Sequence, residues 1–233
     1  MAKTRLANRG LYIALEGIDC IGKSTQVERL VKSFKSDPDF NSRPVFSVNE
    51  PYSGSPIAKV LREEFLSGSR KCDNETIQLL MAAARRDMFA NNLDDMIHDN
   101  THHIISDRSF LSSFAYGAIG APNIPAVFNA FDKIMDYNHS ICFNTMRIPD
   151  LTIVLMVNDE TIESLLKRRG GDCEIFENVK SLQETSKNYR YAIDYINTKT
   201  NNLMSTAKIY VDNLSVDQVN EKIVNTIKEW FTF

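Results

Sequence analysis

The chain is 233 residues long, 43% hydrophobic and 24% charged, which suits one globular domain with a sizeable core and excludes a disordered polypeptide. A formal net charge of -3 excludes a strong general attraction to nucleic acid or to an anionic membrane, and no run of about eighteen apolar residues exists to cross one. The four cysteines, Cys20, Cys72, Cys142 and Cys173, lack metal-site spacing and suit a reducing cytoplasm.

Residues Met1 to Arg9 carry Lys3, Arg5 and Arg9 but no apolar stretch long enough for a signal peptide, and read as a frayed basic end. Leu11 to Leu15 is a continuous apolar run, the pattern of a central parallel strand buried on both faces. It runs into Gly17-Ile18-Asp19-Cys20-Ile21-Gly22-Lys23-Ser24, which matches G-x-x-x-x-G-K-[ST]. In that pattern the glycines let backbone N–H groups curl round a polyphosphate, Lys23 reaches its outer phosphates, and the Ser24 hydroxyl is placed to hold Mg²⁺. Val27, Leu30, Val31 and Phe34 recur at helical spacing until Asp37-Pro38-Asp39, so the loop is followed by a helix whose positive end faces the anion.

Val45 to Val48 reads as a second strand ending in Asn49-Glu50-Pro51. A helix follows with Ile57, Val60, Leu61 and Phe65 inward. After Asp73, a candidate N-cap, a long helix carries Ile77, Leu80, Met81, Ala84 and Met88 towards His98. His103 to Ser106 is a third strand, closed by Asp107-Arg108. A helix from Ser109 stops at Gly120 to Pro125, and an amphipathic run carries Val127, Phe131, Ile134 and Met135. Leu151 to Val157 is a fourth strand. A helix from Asp159 ends at Lys167-Arg168-Arg169-Gly170-Gly171, another spans Val179 to Asn197, Lys208 to Val211 is the fifth strand, and Val216 to Phe231 closes the chain as a helix.

Apolar strands alternating with helices predict an α/β fold with a parallel five-stranded sheet covered on both faces. Ligands of such sheets bind past the carboxyl ends of the strands, where Asp19, Glu50 and Asp107-Arg108 all fall. Each group also has a plain structural reading. Asp107-Arg108 suits either a second phosphate with its metal or a surface ion pair. Arg85-Arg86 suits a solvated helix face or, with Met81 one turn away, the edge of a base. Lys167-Arg168-Arg169 either complements a helix dipole or opens a glycine-hinged lid that brings arginine to a transferring phosphoryl group.

Several pieces together resemble the thymidylate kinase family: Glu16-Gly17-Ile18-Asp19 with Gly22-Lys23-Ser24-Thr25-Gln26, Glu50-Pro51, and Leu79-Leu80-Met81-Ala82-Ala83-Ala84-Arg85. To these are added Asp107-Arg108-Ser109-Phe110-Leu111-Ser112-Ser113-Phe114-Ala115-Tyr116, Pro149-Asp150-Leu151-Thr152 and Arg168-Arg169-Gly170. They occur in family order over nearly the whole chain. The resemblance implies one P-loop kinase domain over residues 1–233 with a lid near 168–178, and Mg²⁺-assisted transfer from ATP to dTMP. It further implies a cytoplasmic homodimer with no nucleic-acid or membrane partner.

By the same resemblance ATP is held by Gly17, Ile18, Asp19, Cys20, Ile21, Gly22, Lys23, Ser24 and Thr25, by Arg168 of the lid, and by Asp212 and Asn213 near adenine. The metal falls to Ser24 and Asp107. The acceptor site is implied at Asp19, Glu50, Met81, Arg85, Arg108, Ser112, Ser113 and Tyr116, with Arg85 and Ser113 at the thymine edge and Tyr116 under the sugar. Lys23, Arg108 and Arg168 are the implied catalytic cations.

This chain departs from the family pattern in places. Met81 stands where an aromatic ring usually stacks on thymine, Asn49 where an arginine often precedes Glu-Pro, and Cys20 where the loop of some members carries a cation. The lid after Arg169 has no basic residue through Phe176. A kinase of another deoxynucleotide or deoxynucleoside, or a catalytically impaired nucleotide-binding protein, is the alternative. Cys20 near a helix N-terminus, with Cys173 in the lid, is also a candidate oxidant-sensitive pair.

Overall fold

A computed structural model describes residues 4–5, 9–144, 148–169, 175–176 and 178–232. Its centre is a five-stranded, wholly parallel sheet built from β2 (Tyr12–Glu16), β3 (Val45–Asn49), β4 (His103–Asp107), β5 (Leu151–Met156) and β6 (Thr206–Tyr210), in the spatial order β3-β4-β2-β5-β6. β2 is central, pairing Tyr12 with Ile104 on one side and Ile13 with Leu151 on the other. The predicted α/β architecture is therefore the observed one.

The reason lies in the strands, whose side chains alternate between two apolar layers. Leu11, Ile13 and Leu15 of the β2 region, with Ile153 and Leu155 of β5, face α1 (Lys23–Ser36) and α9 (Val216–Trp230), where Leu30, Phe34, Ile223 and Ile227 complete one core. Tyr12, Ile104, Val154 and Met156 face the opposite way, towards α3 (Asn74–Met88), α5 (Phe110–Gly117), α6 (Ile124–Asn138) and α8 (Val179–Lys199). Phe110, Phe114, Phe131 and Tyr189 form the centre of that second core. Continuous hydrophobicity was thus the right sign of strands covered on both faces.

Helix starts follow the sequence cues. Asp73 accepts from the Thr76 N–H at 2.7 Å to begin α3, and Ser215 and Gln218 cap α9 reciprocally. Three helices depart from simple periodicity by widening into π-type turns. α2 (Pro56–Val60) continues through Leu61–Leu66, α3 through Phe89–Leu93 into α4 (Asp94–His98), and α6 through His139–Phe143. The first of these turns brings Arg62 and Leu66 to the cleft described below.

The frayed basic end is corrected in part. Thr4–Arg5 (β1) pairs in parallel with Phe231–Thr232 (β7), giving a second, two-stranded sheet. Among the described residues no helix is long and apolar enough to cross a membrane.

Candidate active site

β2 ends at Glu16 and the chain turns at Gly17, whose φ of +142° and tight approach to the Leu155 carbonyl, 2.7 Å from where a Cβ would sit, admit no side chain. Ile18 and Ile21 anchor the loop in the core, Cys20 takes a left-handed φ of +66°, and Gly22, at +93°, starts α1. Lys23 is buried at the head of that helix, donating from Nζ to the Ile18 carbonyl at 2.7 Å and lying 3.9 Å from the Asp19 carboxylate. Burial, reinforced by the nearby Arg108 charge, lowers the Lys23 pKa to about 8. The first turn of α1 and the loop thus present N–H groups and one ammonium to the same space, as an anion requires.

β4 delivers the next two groups. The Ser24 hydroxyl donates to the Asp107 carboxylate at 2.5 Å. A hydroxyl and a carboxylate brought together beside a polyphosphate cradle are hard oxygen donors, and one or two carboxyl groups with substrate phosphates are how Mg²⁺ is usually bound. These two residues fit that ion.

Arg108 follows at φ +74°, a costly conformation for a residue with a Cβ. It is held there by its N–H bond to the Leu15 carbonyl at 2.9 Å and by the Ser106 hydroxyl donating to its own carbonyl at 2.5 Å. The strained turn sends the guanidinium back over the loop. Nη1 donates to the Gly17 carbonyl at 3.0 Å, to Ser112 at 3.1 Å and to Tyr189 at 3.2 Å. Nη2 meets the Asp19 carboxylate and the Tyr116 hydroxyl, the latter at 2.9 Å, while the guanidinium stacks 4.9 Å from the Tyr116 ring centroid. Burial alone opposes ionisation of Asp19, but Arg108, Lys23 and the Tyr116 hydroxyl at 2.7 Å outweigh it and bring its pKa down to about 2. Burial likewise opposes the Arg108 charge, and Asp19 together with Tyr116, Tyr189 and Glu16 more than restores it.

Behind Arg108 stands Glu16, wholly buried. It accepts from the Ser109 N–H at 2.7 Å and hydroxyl at 2.8 Å, from the Ser112 hydroxyl at 2.5 Å and from the Tyr189 hydroxyl at 2.9 Å. A carboxylate at the N-terminus of α5 complements the helix dipole, and burial nevertheless raises its pKa. Sequence reasoning quoted Glu16 without a role and missed Tyr189 altogether. Nothing local marks Tyr189, which lies far along the chain on an amphipathic helix.

Past these groups, beyond the carboxyl ends of β2, β3 and β4, opens a cleft of about 960 Å³. Asp19, Cys20, Gly22, Lys23, Ser24, Thr25, Glu50, Met81, Asp107, Arg108, Ser112 and Tyr116 line it, so most of the predicted positions share one space. A larger hollow of about 1240 Å³ lies at the opposite end of the sheet, among Arg9, Tyr12, Asp150 and Met204, and holds none of them.

The remaining predicted positions fall elsewhere. Arg85 is 4% exposed and lies behind the cleft wall, bonding Glu50 through Nε at 2.8 Å, Asn138 at 2.5 Å and Ser113 at 3.1 Å. Arg85 and Ser113 are therefore together, as expected, but bonded to each other. Asp212 accepts from the Asn158 N–H at 3.0 Å and the Thr161 hydroxyl at 2.6 Å, bracing the turn into α7 (Asp159–Arg169); neither it nor Asn213 lines the cleft. The Arg168 side chain, Cys173 and most of the predicted lid lie outside the described residues. Of that lid, Ile175 donates its N–H to the Leu66 carbonyl at 3.1 Å, and Phe176 packs edge-on to Tyr116, 5.8 Å between ring centroids.

The profile of the thymidylate kinase family matches residues 15–214. A protein of Methanosphaera stadtmanae described as "Probable thymidylate kinase" is 30% identical over 94% of this chain and 100% of its own. The thymidylate kinase of Campylobacter lari is 29% identical over 94% of this chain and 100% of its own length. The solved structure of thymidylate kinase from Candida albicans superposes with a TM-score of 0.73 at 23% identity, covering 95% of this chain and 92% of that one, which is a likeness of fold. The chain belongs to the thymidylate kinase family.

Proposed function

We propose that this protein transfers the terminal phosphoryl group of ATP to dTMP, giving ADP and dTDP, in the cleft past β2, β3 and β4. The observation that carries the reading is the single cluster of Lys23, Asp19 and Arg108, which joins a polyphosphate loop to an arginine suited to a second phosphate. Both substrates are anionic, so catalysis is chiefly neutralisation and in-line alignment. Lys23 and the N–H groups at the start of α1 hold the donor phosphates. Arg108, buttressed by Glu16 through Ser112 and Tyr189, holds the acceptor phosphate at a fixed place, and Asp19 serves the sugar hydroxyl beside it. Ser24 and Asp107 would hold Mg²⁺, which would supply charge neutralisation at the donor phosphates. Arg168 is the lid cation in this reading, Asp212 and Asn213 flank the adenine, and residues 1–233 act as one domain in the cytoplasm.

The homodimer belongs to the same proposal. Val60, Leu79 and Ile124, on helices α2, α3 and α6, are each close to half exposed, and exposed apolar side chains on these helices support association with a second copy. Coupled release of ADP on mixing with ATP, Mg²⁺ and dTMP tests the activity, and light scattering tests the dimer. Release of ADP that does not depend on the monophosphate is the outcome that defeats the first, and a monomeric mass at assay concentration defeats the second.

A further inference from the structure

Ser112 and Tyr189 each meet Arg108 with a hydroxyl, a group that can donate as readily as it accepts. Arg108 Nη1 carries two N–H groups and reaches three oxygens: the Gly17 carbonyl at 3.0 Å, Ser112 at 3.1 Å and Tyr189 at 3.2 Å. A guanidinium has donors only, so a hydroxyl supports it as an acceptor and opposes it when its own proton points the same way. Some other group must fix that direction.

Glu16 does so. Its Oε2 lies 2.5 Å from the Ser112 hydroxyl and 2.9 Å from that of Tyr189. Its Oε1 receives the Ser109 N–H at 2.7 Å, the Ser109 hydroxyl at 2.8 Å and the Ser112 N–H at 3.3 Å. An ionised carboxylate only accepts, and it binds a hydroxyl proton more strongly than a neutral oxygen does. The Gly17 carbonyl, 3.2 Å from the Tyr189 hydroxyl, is neutral, farther away and already occupied by Arg108. Each hydroxyl therefore gives its single proton to Glu16 and turns its lone pairs to Arg108. Glu16 and Tyr189 are wholly buried and Ser112 nearly so, which keeps bulk water from reorienting the set.

We infer that Glu16 is a positioning residue for the acceptor phosphate: by taking the protons of Ser112 and Tyr189 it makes both hydroxyls pure acceptors for the Arg108 guanidinium. The inference rests on Arg108 holding that phosphate in the proposed reaction. Its consequence is that Glu16→Gln, which keeps the shape, does not keep the polarity. The Ser109 and Ser112 backbone N–H groups can only donate, so they hold the amide carbonyl of that variant on the Oε1 side. The NH2 group then faces the two hydroxyls, donates to them and turns their protons towards Arg108.

The test is steady-state kinetics on Glu16→Gln, Tyr189→Phe and their combinations with Arg108→Lys. Glu16→Gln is expected to lower kcat/KM for dTMP about tenfold, through KM, while KM for ATP stays within about twofold. Added to Arg108→Lys it should cost nothing further, and Tyr189→Phe added to Glu16→Gln should also cost nothing further, because in each case the acceptor contact is already lost. A merely structural role shifts KM for both nucleotides and gives losses that multiply in the double variants; either result, or an unchanged Glu16→Gln enzyme, overturns the inference. Should Glu16→Gln fail to fold by circular dichroism, Tyr189→Phe alone is expected to lower kcat/KM for dTMP about threefold and to add nothing to Arg108→Lys. Full multiplication of those two losses overturns it. A wild type that releases no ADP with dTMP defeats the kinase reading and this inference with it, whereas an active wild type with additive variants defeats the inference alone.

Discussion

The phosphate end and the base end of the cleft are built differently. At the phosphate end the positions are set by main chain: a glycine with no room for a Cβ, a helix N-terminus, and Arg108 bent into a left-handed conformation at the end of β4. The charged groups there touch one another, Asp19 with Arg108 and Lys23, so each fixes its neighbour. At the base end the wall is made of side chains from α3 and the turn after α2, and Arg85, paired with Glu50 at 2.7 Å, is turned inward behind it. Charge chemistry demands one geometry, whereas a base can be packed against many surfaces. The first end should therefore fail in catalysis when altered, and the second in stability or selectivity.

The sharpest division comes from Lys23→Ala, expected to lower kcat/KM by at least about a hundred- to a thousand-fold with the melting temperature little changed, since it removes preorganised charge at the transferring phosphate. Arg108→Lys is next. A lysine cannot reproduce five directed N–H groups, so about a hundredfold loss is expected, mostly as a raised KM for the monophosphate with the KM for ATP kept. Steady-state kinetics and thermal melts on both variants check this, and equal loss for both substrates would blur the distinction between the two ends.

At the base end the largest expected effect is on folding. Glu50→Gln leaves the Arg85 guanidinium buried without its counter-charge, and removal of one partner from such a pair costs about 3–5 kcal/mol, readable by urea denaturation. If Glu50→Gln instead leaves stability intact and abolishes only turnover, the pair belongs functionally with the phosphate end.

That contrast also explains what the sequence made legible. Strand positions and the phosphate loop could be read because each obeys a strong local rule: continuous apolar runs in a sheet covered on both faces, and the spacing of Gly17, Gly22 and Lys23. Asp19, Asp107 and Arg108 could be placed because they directly follow strands. Tyr189 and Asn138 could not, since their roles depend on helices packing across the second core and leave no mark in local spacing. Arg85 shares a helix face with Met81, but only the packing shows that its guanidinium is committed to Glu50 behind the cleft wall. The widened turns at 61–66 and 89–93 were read as ordinary helix because apolar spacing alone does not reveal one extra residue in a turn.

Two smaller effects sharpen the comparison. Lys23 has its pKa lowered to about 8 in the free protein, mainly by burial, so the cationic form that attracts phosphate is lost as pH rises through that value. kcat/KM for ATP should then fall about tenfold per unit above pH 8, while Lys23→Arg, though slower, should lack the break. At the other end, Met81→Phe should lower the KM for a thymine nucleotide only a few-fold, the scale of one aromatic contact of about 0.5–1.5 kcal/mol, with kcat unchanged.

The central claim is that both ends serve one reaction, phosphorylation of dTMP by ATP. It is tested most directly by coupled ADP release with dTMP, dUMP, dCMP, dGMP and thymidine side by side. The structure predicts the highest kcat/KM for dTMP and no turnover of thymidine, which brings no phosphate for Arg108 to hold. Preference for a purine or cytosine monophosphate, or efficient phosphorylation of thymidine, would contradict it.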